Sequence, residues 1–161
     1  MKNFSKLALL ALFIASGVFV TSCSDDDKAA EPASLYAKLG GTTMVADPNN
    51  PGQMIEQGRL SYRSVVDSTI TLIVSDIVVG AEGNLGEHFA PVISEALSGN
   101  ATNVAILSDN LTDFFSANTG GGATNVYTGL DMVTAHDPAQ NPRMGKKSND
   151  AEYDKFIGYV G

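Results

Sequence analysis

A single cysteine, Cys23, sets the first limit on how this chain can fold. One thiol forms no disulfide within the chain and cannot build a thiolate metal cluster. The fold is therefore stabilised by neither kind of cross-link. Stability must therefore come from an apolar core. The part of the chain that follows Cys23 is long enough to form one domain with such a core.

The first 22 residues have the pattern of a bacterial lipoprotein signal. Lys2 and Lys6 form a basic start, and residues 7–20 are almost wholly apolar. A run of about 14 residues is too short for a permanent membrane helix and fits the core of a signal peptide. Small residues then precede Cys23, the position at which a lipoprotein is cleaved and acylated. The alternative is an ordinary secretory signal beside a chance cysteine.

An acidic segment follows, and the mature chain is acidic as a whole. Residues 23–33 contain three consecutive aspartates and predict a flexible tether that resembles the export signal of surface lipoproteins; a plain spacer is the alternative. The net charge is −8, and loss of Lys2 and Lys6 with the signal makes it −8 − 2 = −10. This charge disfavours nucleic acid and anionic lipid as partners, so membrane attachment is expected through the lipid on Cys23.

Residues 34–161 predict an all-α domain with one inserted β-hairpin. Ser34 is a plausible N-cap, and residues 42–57 contain a turn-rich centre between β-prone flanks. Helical spacing of apolar residues then recurs within residues 59–79, 89–97 and 104–114, and again within 153–160. Thr102 or Asn103 is expected to cap the third of these helices, and Ser148 or Asn149 the last. The hairpin is expected to be a surface feature that the core does not need.

A short helix is predicted at residues 130–135, with Thr128-Gly129 as its start and His136 at its end. Met132 lies four residues before His136 and therefore on the same face. A neutral imidazole near a soft thioether and apolar side chains suits an iron or haem ligand. The alternative is a histidine that only caps the helix C-terminus.

Several short motifs occur in a familiar order. They are SLYAKLGG at residues 34–41, the pair Phe114-Phe115, the glycine run 120–122, YTG at 127–129 followed by Met132, and Ala135-His136. Together they resemble the group I truncated haemoglobins, over residues 34–161. The resemblance implies a truncated globin-like fold, the two-over-two helical sandwich. The hairpin is an addition to that pattern, and the family's final helix is expected to be missing.

The resemblance also implies a haem b cofactor and assigns residues to it. His136 matches the proximal ligand of the haem iron, while Met132, Tyr127 and Phe115 are expected to line the proximal side or to pack behind it. The distal positions are apolar, which predicts no hydrogen-bond donor over the iron. They are Ile70, Leu107, Leu111 and Phe114. For Met132, Tyr127 and Phe115 ordinary core packing is the alternative.

A protein side chain is the other candidate for the sixth coordination position. His88 is the first choice, although it also fits a surface or capping histidine at the start of its helix; Met144 and Tyr62 are weaker candidates. No Ser-His-Asp or Cys-His arrangement and no paired carboxylates indicate an enzyme.

Two functions of different class follow from these patterns. The first is a membrane-anchored, extracytoplasmic globin, at the outer membrane or cell surface, that binds haem for diatomic-gas binding, sensing or exchange of electrons with a redox partner. The second is a surface lipoprotein whose degenerate globin scaffold binds no haem and has an interaction or structural role.

Overall fold

The computed structural model describes residues 31–160. The predictions for the signal peptide, Cys23 and most of the tether lie outside these residues. Helices dominate the described part, and two short strands form one antiparallel sheet, which confirms the expectation of a helical domain with a hairpin. The elements are α1 (Leu35–Lys38), β1 (Met44–Ala46), β2 (Met54–Glu56), α2 (Gln57–Val78), α3 (Ala90–Leu97), α4 (Thr102–Ser116), a π-helical turn (Ala117–Gly121), α5 (Met132–Ala135) and α6 (Asp150–Val160).

The hairpin is more than the surface feature that its turn-rich sequence predicts. Val45 pairs with Ile55 at the centre of the ladder, and Asp47 holds the turn by accepting hydrogen bonds from Asn49 and Asn50. However, Ile55 is only 7% exposed and belongs to the core. The expectation that the core does not need the hairpin is therefore wrong for β2, because sequence pattern alone does not show which face of a short strand is buried.

Helix α2 is rich in Val, Ile, Thr and Ser, residues that favour strands or turns when they stand alone. Its serine and threonine hydroxyls donate hydrogen bonds to the backbone carbonyl four residues earlier and so fit into the helix. Ser64 donates to Leu60 in this way, and Thr69 donates to Val65. The buried positions Tyr62, Val66, Thr69 and Ile73 repeat at helical spacing. Tertiary packing of this stripe therefore outweighs the weak local preference for strands.

Two of the four predicted helix starts are confirmed, and two are not. Ser34 caps α1 by accepting from the Ala37 N–H, and Asn149 and Glu152 form a reciprocal capping box at α6, as expected. Helix α4 instead has Ala101 at its N-cap, so neither Thr102 nor Asn103 caps it. Helix α5 begins later than Thr128-Gly129 predicts, because Asp131 is its N-cap.

The core lies where α2 packs against α4 and α6 and where α1 meets the π-helical turn. Aromatic rings connect these contacts. Tyr36 stacks near Tyr62 with ring centroids 6.4 Å apart, and Tyr62 stacks on Phe115 at 5.9 Å. Within residues 31–160, no helix combines the length and the apolar character that crossing a bilayer requires.

Glu56 gives a pH-dependent test of the link between hairpin and core. Its carboxylate accepts hydrogen bonds from the Tyr36 hydroxyl at 2.5 Å and from Thr124 and Asn125 at 2.9 Å each. Burial raises the pKa of Glu56, but these bonds and the charge of Arg59 outweigh it and leave the pKa below its usual value. The ionised form therefore stabilises the fold above the ordinary glutamate pKa, and this stabilisation disappears as the pH falls through the folded-state pKa.

We predict that Glu56→Gln lowers the free energy of unfolding at neutral pH and that its difference from the wild type shrinks as the solution is acidified. Urea unfolding at a series of pH values measures both quantities. The exposed Glu82→Gln serves as the control and should stay within about 0.5 kcal/mol of the wild type. A Glu56→Gln deficit that is constant with pH would contradict the assigned role of the charge.

Candidate functional site

One cavity of about 570 Å³ lies between α3, α4, α5, α6 and the loops that join them. This volume falls in the range of small-molecule and cofactor sites. Most of its lining is apolar or aromatic. Several lining side chains, including Leu107, Leu111 and Phe114, remain half-exposed although they sit on the inner face of α4. A ligand that filled the cavity would remove these apolar side chains from water.

The cavity brings together nearly all of the residues that the sequence assigned to a cofactor. They are His88, Leu107, Leu111, Phe114, Phe115, Tyr127, Met132, His136 and Met144. Helix α4 supplies Leu107, Leu111 and Phe114 from one face, as their spacing predicts. The Phe114 and Tyr127 rings meet edge to face with centroids 5.4 Å apart.

Two assigned residues lie elsewhere. Ile70 does not line the cavity, because the inner face of α2 passes through Thr69 and Ile73 and the next position along the chain is rotated by roughly 100°. Tyr62 points into the core, where its hydroxyl donates to Thr119 at 2.7 Å. Two predictions are therefore wrong: Ile70 does not line the cofactor cavity, and Tyr62 is not placed to bind the iron.

His136 is the first residue after α5 and is exposed on the rim of the cavity. Its Nδ1 lies 2.7 Å from the Met132 carbonyl oxygen, four residues earlier in the chain. A carbonyl only accepts hydrogen bonds, so Nδ1 must carry the proton. The lone pair of the neutral ring is therefore on Nε2. This tautomer can bind a metal through Nε2.

The His88 side chain is only 2% exposed. This burial contradicts the alternative prediction of a surface or capping histidine. Its Nδ1 lies 2.7 Å from the Lys146 carbonyl oxygen, which fixes the same tautomer as in His136. Burial lowers the pKa of His88, and the nearby His136 lowers it further, while the bond to the Lys146 carbonyl opposes both. The ring is therefore neutral near pH 7. Its centroid is 5.7 Å from that of His136, and the two planes differ by 15°.

The segment Gly145-Lys146 clamps His88 in place. The Gly145 N–H donates to the His88 carbonyl at 2.8 Å, while Lys146 accepts from the ring. The Lys146 ammonium pairs with Glu87 at 2.7 Å and with the buried Glu152 at 3.0 Å, which ties the clamp to the start of α6. Residues distant in the chain thus fix the position and tautomer of one imidazole.

Sequence reasoning missed several polar residues of the lining. Asn110 stands between Leu107 and Leu111 on α4 and brings an amide donor to a wall that was expected to be apolar. Arg143 adds a cation, and Asn141 bonds the Ala135 carbonyl at 2.7 Å and so ties its loop to α5. Helical spacing was the available signal for Asn110, because it shares the face of Leu107 and Phe114.

These residues fit a haem group in three respects. The lining offers broad apolar and aromatic surface for a macrocycle, in a volume of cofactor size. At least one imidazole is held in the metal-binding tautomer. Arg143 provides a cation of the kind that pairs with carboxylates such as those of haem.

No protein-family model matches this chain, and neither does any curated protein or solved structure. Residues 31–160 contain no group of three or more His, Cys, Asp or Glu side chains placed to hold a metal ion.

Gly145 tests the clamp on His88. A Cβ atom at this position would lie 2.2 Å from the Glu87 carbonyl oxygen and 3.3 Å from the Ala90 side chain. We predict that Gly145→Ala lowers the free energy of unfolding by about 1–3 kcal/mol, because the backbone beside His88 must move. Urea unfolding of the ligand-free protein measures this.

Gly158→Ala is the matched control. Gly158 lies within α6, and a Cβ there meets nothing within 4 Å. The same substitution should raise the free energy of unfolding by about 0.5–1 kcal/mol, since alanine loses less backbone entropy in a helix. If Gly145→Ala proved as stable as the wild type, the close approach at the clamp would be refuted.

Proposed function

We propose that this protein binds haem b in the cavity between α3, α4, α5 and α6, with His136 as the proximal ligand of the iron. The main support is the hydrogen bond that fixes the His136 ring. The bond between His136 Nδ1 and the Met132 carbonyl holds the imidazole in the tautomer needed for metal binding, on the rim of a cavity with an apolar lining.

The order of motifs gives independent support. SLYAKLGG, Phe114-Phe115, YTG and Ala135-His136 are similar to group I truncated haemoglobins, and the helical architecture with its hairpin is compatible with a truncated globin-like fold. We therefore extend the proposal to a globin-like scaffold. When bound, haem supplies reversible binding of diatomic gases or one-electron redox chemistry.

The protein's own residues would hold the group and exclude water from it. His136 would bind the iron, while Phe114, Tyr127 and Leu111 would cover the macrocycle with apolar surface. Arg143 would pair with a propionate. Burial of this apolar surface would also stabilise the fold, because the half-exposed side chains of α4 would be covered.

His136→Ala tests the proposal. We predict that the variant folds, because His136 is exposed, and that its haem affinity falls by at least about a hundredfold, more than the loss of an outer-shell partner causes. The measurement is haem titration of the purified protein, followed by its Soret absorption. Thr134→Ala is the control, since Thr134 lies on α5 two residues before His136 and does not line the cavity.

Haem binding that is equal in His136→Ala and Thr134→Ala would remove the proximal assignment. A wild-type protein that takes up no haem would favour the second function, a surface lipoprotein whose scaffold serves an interaction or structural role.

We further propose that the protein is an extracytoplasmic lipoprotein anchored through Cys23, at the outer membrane or the cell surface. The support is the apolar run of residues 7–20 followed by small residues and the chain's single cysteine. We predict that Cys23→Ser loses acyl labelling and either leaves the membrane fraction or keeps its signal peptide. Metabolic fatty-acid labelling with fractionation measures this. Unchanged labelling in Cys23→Ser would rule the anchor out.

A further inference from the structure

One wall of the cavity is a short segment whose hydrogen bonds are largely internal. We call residues 128–136 the gate; they contain α5 and end at His136. The Asp131 carboxylate accepts from two N–H groups of α5 at 3.1 Å each, and His136 Nδ1 donates to the Met132 carbonyl at 2.7 Å. These bonds begin and end inside the gate. They therefore keep its shape without fixing it to the helices around it.

Two side-chain hydrogen bonds connect the gate to the loops on either side of it. At one end the Tyr127 hydroxyl donates to the Leu130 carbonyl at 2.5 Å. At the other end the Asn141 amide donates to the Ala135 carbonyl at 2.7 Å. Among residues 31–160, no hydrogen bond joins the gate to α2, α3, α4 or α6. The gate is thus fastened at its ends and not along its length.

The gate is also poorly buried. None of its residues is buried, and the Val133 side chain is 77% exposed. The His136 ring stacks on the ring of His88, with centroids 5.7 Å apart and planes 15° apart. A segment that buries little apolar surface opens at a small part of the free energy that global unfolding requires. Opening of the gate needs to break only the stack, the two flanking hydrogen bonds and the contacts of partly exposed side chains.

The opposite wall of the cavity is fixed. Helix α4 packs along α2, and its Phe115 ring stacks on Tyr62 with centroids 5.9 Å apart. His88 is held by Gly145 and Lys146. The cavity therefore has one wall that belongs to the core and one wall that can move as a unit. The movable wall carries His136.

We propose that the gate opens as a unit, with His136 on it, and that haem enters and leaves the cavity on this side. This inference rests on the proposed binding of haem at His136. When the gate opens, the bond between Nε2 and the iron breaks, the electron pair stays on the imidazole, and the porphyrin keeps the iron. Haem is then cargo that the protein takes from one haem-binding partner and gives to another, in preference to a permanently held group.

Tyr127→Phe weakens the gate with little other change. The Tyr127 ring packs edge to face on Phe114 with centroids 5.4 Å apart, and phenylalanine keeps this contact. Only the hydroxyl bond to Leu130 is lost. Tyr159→Phe is the matched control, because it removes a hydroxyl bond of the same length, 2.5 Å to Asp76, outside the gate and the cavity.

Hydrogen exchange of the ligand-free protein, followed by NMR, measures the opening directly. We expect the α5 amides to exchange together and at least about a hundredfold faster than those at the centre of α4, because the gate opens without global unfolding. Tyr127→Phe should speed their exchange by about two- to tenfold, the factor that the net loss of one hydrogen bond produces. Tyr159→Phe should leave it within about twofold of the wild type, because its lost bond does not hold the gate.

Transfer of haem from the loaded protein to excess apomyoglobin measures release, and the shift of the Soret band follows it. We expect the wild type to give up its haem. Tyr127→Phe should accelerate the transfer by the same factor as it accelerates amide exchange, because both processes need the same opening. A substitution that only weakened a contact with haem would speed the transfer and leave exchange in the ligand-free protein unchanged.

Three results would overturn the gate in a protein that binds haem. They are a wild type that keeps its haem in the presence of apomyoglobin, α5 amides that exchange as slowly as those of α4, and a Tyr127→Phe variant that changes transfer but not exchange, or neither. A wild type without a Soret band would instead overturn haem binding itself. The two failures are therefore distinguishable.

Discussion

The buried hydroxyl of Tyr36 is the interaction on which the rest of the structure depends. It donates to Glu56 at 2.5 Å and accepts from Asn125 at 2.9 Å, so one side chain joins α1, the end of β2 and the segment after the π-helical turn. Burial and the hydrogen bond to Glu56 raise the pKa of Tyr36 to about 12, so the hydroxyl stays protonated as a donor. Its ring needs glycines as neighbours, since a Cβ on Gly58 or Gly121 would approach within 3 Å of it.

A row of aromatic rings connects Tyr36 to the wall of the cavity. Tyr36, Tyr62 and Phe115 stack in a row, and Phe115 belongs both to this row and to the cavity wall. The large apolar residues of α4 are consequently divided between packing against α2 and lining a cavity. A ligand that filled the cavity would cover these side chains further and raise the stability of the fold by mass action.

Around the cavity, backbone groups determine the chemistry of the side chains. The carbonyls of Met132 and Lys146 assign the tautomers of two histidines, and His88 adopts its position only because Gly145 allows a close approach to Glu87. Asn141 and the capping box of α6 hold the loop that carries this clamp. Such second-layer contacts usually decide how a metal ligand is oriented and how basic it is.

The sequence by itself determined the helical class, the hairpin, the caps of α1 and α6 and the common face of Leu107, Leu111 and Phe114, because these follow from local periodicity and turn chemistry. It also placed His136 at the end of a short helix beside Met132. Only the tertiary structure decided that Ile70 turns away from the cavity, that Asn110 lines it and that β2 belongs to the core. The approach of His88 to His136 likewise depends on contacts between residues that are distant in the chain, and no local pattern encodes a distance of that kind.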